Sequence, residues 1–110
     1  LKNLLSALLK RWGSEVKAVF DHGAENLHCI LEPTTSRSWQ NMRRFITDLG
    51  ELPQGQFEYV GDTDISAAEY LERDGKVYLP RRCEPIYLAG KCICYWGLAV
   101  PAGEESAWNN

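Results

Sequence analysis

KCICYWGLAV, residues 91–100, alternates with a period of two. Cys92, Cys94, Trp96, Leu98 and Val100 fall on one face, and Ile93, Tyr95 and Ala99 on the other. Side chains of a β-strand alternate in this way, so the segment predicts a strand. Both of its faces are apolar. A strand with one solvated face does not look like this, so the pattern implies a central strand or one covered twice. Pro101 ends it.

Working back from this strand, the chain is a series of short β-like runs separated by turns. Ala89-Gly90 turns the chain out of a strand at Ile86 to Leu88 that starts after Pro85. Val77 to Cys83 reads as another strand, with Pro80 marking an edge or a bulge. Asp74-Gly75 before it is the strongest hairpin signal in the chain, because a type I′ turn needs positive φ at both central residues. Ile65 to Leu71 is ambiguous: it tolerates a helical turn capped by Asp64, or it leads directly into the hairpin. Gln56 to Val60 is a short strand, broken by Gly61-Asp62-Thr63-Asp64, and Arg43 to Leu49 is another, followed by a turn at Gly50 to Gln54. Thr34 to Asn41 is polar around one large aromatic, Trp39, and predicts an exposed loop. Leu27 to Leu31 and Val16 to Phe20 form a hairpin across a longish, breaker-rich turn, Asp21 to Asn26.

The first segment follows a different period. Leu1, Leu4, Leu5, Leu8, Leu9 and Trp12 recur at helical spacing, with Lys2, Asn3, Ser6 and Lys10 opposite, which predicts an amphipathic helix stopped near Gly13. So short a helix needs its leucine stripe packed, either on its own sheet or on a neighbouring subunit. Together these runs predict a mainly β fold: a small β-barrel or sandwich of about seven short antiparallel strands with one N-terminal amphipathic α-helix. The 110 residues fit one domain, 1–110, with the helix over 1–13, the β body over 15–101 and a loose tail over 102–110.

Composition narrows the function classes. Hydrophobic residues at 45% and charged residues at 25% describe a globular chain with a modest core. A net charge of −3 with pI about 5.3 argues against a dedicated nucleic-acid binder, and the basic pairs Arg43-Arg44 and Arg81-Arg82 have carboxylates nearby. No apolar run has the length of a membrane span, and the opening helix lacks the pattern of a signal peptide.

The candidate chemistry is weak. Cys29, Cys83, Cys92 and Cys94 lack the paired spacing on turns that a structural zinc site uses. His22 and His28 would complete one only by coincidence of folding. Cys92 and Cys94, two apart on a strand, point the same way, and all four are expected as free thiols packed as small hydrophobes. No signature flags a cysteine nucleophile. The carboxylates Asp62, Asp64, Glu69, Glu72, Glu104 and Glu105 sit in turns and a tail, and Asp62-Thr63-Asp64 matches only the opening of a calcium loop. There is no phosphate-binding glycine loop. These features predict a non-enzyme without cofactor or metal. Two rivals remain: a single-strand-binding barrel stacking bases on Tyr59, Tyr78 and Tyr95, and a cysteine-ligated zinc module.

The second half of the chain carries a resemblance. LGELPQGQFEYVGD (residues 49–62) and YLERDGKVYLPRRCEPIYLAGKCICYWGLAVP (residues 70–101) resemble head–tail joining proteins of tailed phages and prophages of Gram-positive hosts, also called head-completion, neck or minor capsid proteins. The matching positions are Leu49-Gly50, Tyr59-Val60-Gly61, Asp74-Gly75-Lys76, Tyr78, Arg82, Tyr87-Leu88, Gly90 and Tyr95-Trp96. The order of elements matches too: leucine-rich helix, Leu31-Glu32-Pro33 strand end, loop, hairpins. Cys92 and Cys94 depart from the pattern, and Trp108 lies in a tail that does not align.

The resemblance implies a small β-barrel with a helix that forms a homo-oligomeric ring in the virion neck, made in the bacterial host cytoplasm. Its partners would be copies of itself, a portal or head–tail adaptor protein and a tail terminator protein. DNA would pass through the ring without sequence-specific recognition, and no membrane is involved. The role transfers to segments rather than to catalytic residues. The expected contact residues are Thr34, Thr35, Ser36, Arg37, Trp39 and Arg43 on the long loop, Asp62 and Asp64 on the turn, and Leu1 and Leu5 on the helix.

Overall fold

The computed structural model describes residues 2–34 and 55–103, with residues 2–4 described by backbone alone. The elements are α1 (Lys2–Trp12), β1 (Ser14–Phe20), β2 (Gly23–Pro33), β3 (Phe57–Gly61), β4 (Tyr70–Arg73), β5 (Lys76–Leu88) and β6 (Lys91–Pro101). The six strands close into an antiparallel barrel in the order β1-β2-β3-β6-β5-β4.

Two apolar clusters follow from the strand alternation. The barrel interior holds Val16, Ala18, Phe20, Leu27, Cys29, Leu31, Tyr59, Ile65, Leu71, Tyr78 and Ala99. The outer face of β2, β3 and β6 presents Ile30, Val60, Cys94, Trp96 and Leu98, and α1 covers it with Leu5, Leu8, Leu9 and Trp12. This explains why β6 is apolar on both faces: one side looks into the barrel and the other lies under the helix. The described part of the stripe, Leu5, Leu8, Leu9 and Trp12, thus packs on the chain's own sheet. Each such leucine, once buried, contributes about 1.5–3 kcal/mol, which a helix of three turns needs to stay formed.

Several local expectations change. Val77 to Cys83 and Ile86 to Leu88 form one strand, β5. The chain passes Pro80 with a register slip between Pro80 and Arg82, so the proline does mark a bulge. A second slip between Ile86 and Tyr87 bulges β6 at Ile93. It breaks the two-residue repeat that would have aligned Cys92 with Cys94: Cys94 is buried and Cys92 exposed. The β1–β2 turn is not long. Phe20 pairs with Gly23, leaving only Asp21 and His22 between the strands, because Ala24, Glu25 and Asn26 extend the ladder against Val19, Ala18 and Lys17.

Asp74 and Gly75 have φ of 53° and 78°, as the predicted type I′ turn requires, and Ala89 and Gly90 repeat the geometry at 54° and 80°. Ile65 to Glu69 is a turn rather than a helix, with the Asp64 carboxylate accepting from Ser66 N–H at 2.9 Å. Gly13 does follow α1, but close approach is what favours glycine there. Its N–H donates to Leu9 O at 2.7 Å, and a Cβ would come within 2.2 Å of that oxygen and 2.8 Å of His28 Nε2. The strand expected at Arg43 to Leu49, the turn at Gly50 to Gln54 and most of the tail lie outside the described residues.

Candidate functional site

The strand directions give the barrel two unlike ends. At the upper end are the β1–β2 turn, the β5–β6 turn and the 62–69 connection. β3 and β4 lie opposite each other in the closed order, so residues 62–69 cross the mouth. Ile65 is fully buried against the interior and Ala68 packs beside it, which seals this end. Tyr59 donates its hydroxyl to Thr63 O at 2.6 Å, and Ala68 N–H donates to Ile65 O at 3.0 Å. Glu69 N–H donates to Val19 O at 2.7 Å, anchoring the far side.

Two hairpin tips flank this seal on opposite walls. The β5–β6 hairpin continues past the last β3 pair, Gly61 with Tyr95, through Ile86–Cys94, Tyr87–Cys92 and Leu88–Lys91. Three more residues of strand carry the tip about 10 Å past that point. Tyr87 at 63% and Leu88 at 44% exposure are the exposed large hydrophobic residues among those described. At the β1–β2 tip, residues 21–26 are all exposed. There the His22 ring stacks on Phe20 at 5.1 Å and lies 3.6 Å from Asp21 Oδ1 and 3.1 Å from Glu25 Oε2.

The lower end holds a cleft of about 720 Å³ lined by Pro33, Gln56, Phe57, Tyr78 and Pro101 among others. Phe57 and Tyr78 meet there in a tilted ring pair at 4.7 Å. Arg73 spans the barrel interior near this end, donating to Leu31 O at 2.7 Å and Ser14 Oγ at 3.2 Å. Its guanidinium is thus committed to holding β1, β2 and β4 together.

A polar seam crosses the outer wall. Trp96 Nε1 donates to the fully buried Glu58 carboxylate, the Arg82 guanidinium lies 5.0 Å from the Trp96 ring, and Arg82 pairs with Glu84. Each charge is engaged by a neighbour on the same wall, so the seam reads as a structural tie between β3, β6 and β5.

The cysteines are spread through these environments. Burial pushes the Cys29 thiol up to about 12 in the barrel interior, against a smaller opposing pull from Arg73. Burial likewise raises Cys83 to about 11, and raises Cys94 to about 11 with help from nearby Cys92. All four are free thiols. Cys29 and Cys94 belong to different core clusters. No group of three or more His, Cys, Asp and Glu side chains converges among the described residues. Of the aromatic residues considered for base stacking, Tyr59 and Tyr78 are inside the barrel and offer no open face.

The residues singled out from the sequence separate clearly. Asp62 and Asp64 are exposed on the connection over the upper mouth. Thr34 is buried, its N–H donating to Gln56 O at 2.9 Å, so it belongs to the barrel end rather than to an exposed loop. Leu5 is half-buried against the outer cluster beneath α1. Leu1, Thr35, Ser36, Arg37, Trp39 and Arg43 lie outside the described residues. Tyr87 and Leu88 were not singled out as contact residues. An apolar pair beside a turn reads as ordinary strand until the register shows it past the barrel body. Comparison with known protein families, with curated proteins and with solved structures finds no match for this chain.

Proposed function

We propose that the protein is a structural subunit of the neck of a tailed phage or prophage, a ring component between the portal or its adaptor and the tail. The observation that supports this best is the distribution of side chains. Arg73, Glu58, Trp96 and Cys29 are built into the barrel's own framework, while Tyr87 and Leu88 protrude at one end on a projecting hairpin. A barrel that holds its own core and presents rigid tips suits a part that acts by contact. The sequence resemblance points to the same role. The acidic balance suits a channel wall past which DNA must slide without sticking.

Immunogold electron microscopy of purified particles, with mass spectrometry of their proteins, tests this reading. The expected result is label confined to the head–tail junction. A chain missing from particles, or spread over the capsid surface, overturns it.

A further inference from the structure

We infer that the two tips at the upper end mate with each other between neighbouring copies, the β5–β6 tip of one against the β1–β2 tip of the next. This rests on the ring reading above and adds to it the identity of the contact.

Three observations carry the inference. The tips lie on opposite walls of a closed barrel, with the β1–β2 pair facing the β6–β5 pair across the ring of strands. Both leave the same end, which lets the β5–β6 tip of one copy meet the β1–β2 tip of the next. The tips are also chemically unlike. Between Pro85 and Tyr95 the chain carries Lys91 and no acid, and here Tyr87 and Leu88 are exposed. Between Val19 and Asn26 it carries Asp21 and Glu25 and no Lys or Arg.

Two β1–β2 tips, each with Asp21 and Glu25, repel one another, whereas Lys91 of a β5–β6 tip attracts them, which favours a head-to-tail contact over a two-fold one. The occupant of the Tyr87–Leu88 tip is therefore a second copy of this chain. The contact is made by side chains. Pro80 and Pro85 have no N–H for the ladder, so their nitrogens turn away from β6, toward the edge along which β4 reaches no further than Tyr78. Prolines on that edge blunt strand addition.

The small size of each tip makes a single contact weak, so the ring closes only where a platform gathers subunits. Dilution of the isotope-labelled full chain from about 1 mM to about 20 µM, followed by NMR, reads this directly. Shifts that depend on concentration are expected at both tips, residues 20–26 and 86–91, together.

Two variants then separate head-to-tail from two-fold pairing. Tyr87→Ser with Leu88→Ser disables one tip, and Asp21→Lys with Glu25→Lys disables the other. Each alone is expected to lose self-association by roughly tenfold or more. Mixed, they are expected to form a one-to-one pair, because each retains the tip the other has lost. All four side chains are exposed, so unchanged circular dichroism is expected for both variants. A wild-type chain that stays monomeric at the highest concentration overturns the inference. So do shifts confined to one tip or to α1, or variants that fail to pair on mixing. A chain located in the neck by microscopy whose variants nonetheless fail to pair leaves the functional reading standing and removes only this contact.

Discussion

Cys29, Cys83, Cys92 and Cys94 are one side chain in four settings, and their environments predict how each behaves. Cys92 is exposed, while burial raises the other three above the ordinary thiol value of 9.0. A thiol reagent at pH 8 is therefore expected to modify Cys92 quickly, the half-buried Cys83 slowly, and Cys29 and Cys94 only on unfolding. Mass spectrometry of the labelled chain checks this. The same shifts carry a stability consequence. The folded chain holds its buried thiols protonated at a pH where the unfolded chain ionises them. The stability they contribute is thus fully present below about pH 9 and is lost as pH rises from there toward 11 and 12. Melting temperature is expected to fall above pH 9, and Cys29→Ala is expected to flatten part of that fall.

Trp96 makes a second argument at this scale. Its ring is buried beneath α1 and its N–H serves the buried Glu58 carboxylate. Trp96→Phe keeps most of the apolar volume but removes that donor, so it is expected to destabilise the fold by about 1–3 kcal/mol in urea unfolding. Trp96→Phe combined with Glu58→Leu is expected to recover part of the loss, because it also removes the buried acid that the indole N–H serves.

Among the elements, α1 is held by a close fit at Leu8 and at Gly13. Leu8 is buried against Ile30, Val60 and Trp96, and its helix ends at a glycine that no larger residue can replace without moving Leu9 O or His28. Leu8→Ala is expected to cost about 2–5 kcal/mol, read by chemical denaturation. The β5–β6 hairpin shows how elements become unequal. β5 runs thirteen residues and β4 only four, so most of β5 has no β4 partner. A bulge in β5 lets that strand pass Pro80, and one in β6 at Ile93 places Cys92 and Cys94 in different surroundings. The alternation visible in the sequence identified β1, β2, β3 and β6 and read β5 as two runs. It did not locate the extra residue in each bulge, because a bulge changes which residues pair without changing composition.

For the whole molecule, closure is the decisive property. Every strand of a closed barrel has two neighbours, so loss of any one opens the interior to water. Far-UV and near-UV signals are therefore expected to follow a single coincident unfolding transition. Separate transitions would show that α1 and the outer cluster melt independently of the barrel. The long, interlocked pairings also place the two tips at one end, an arrangement that no single hairpin could specify.

The helix, the β-rich body, the Asp74-Gly75 turn and the double-faced strand at 91–100 were legible in the sequence, because local period and turn chemistry leave marks on neighbouring residues. Three features depend on pairings between residues far apart in the chain: closure of the strands into one barrel, the fusion of two expected runs into β5, and the exposure of Tyr87 and Leu88. Local patterning says which way a side chain points from its strand. Whether water or protein lies there depends on which strand comes to rest beside it.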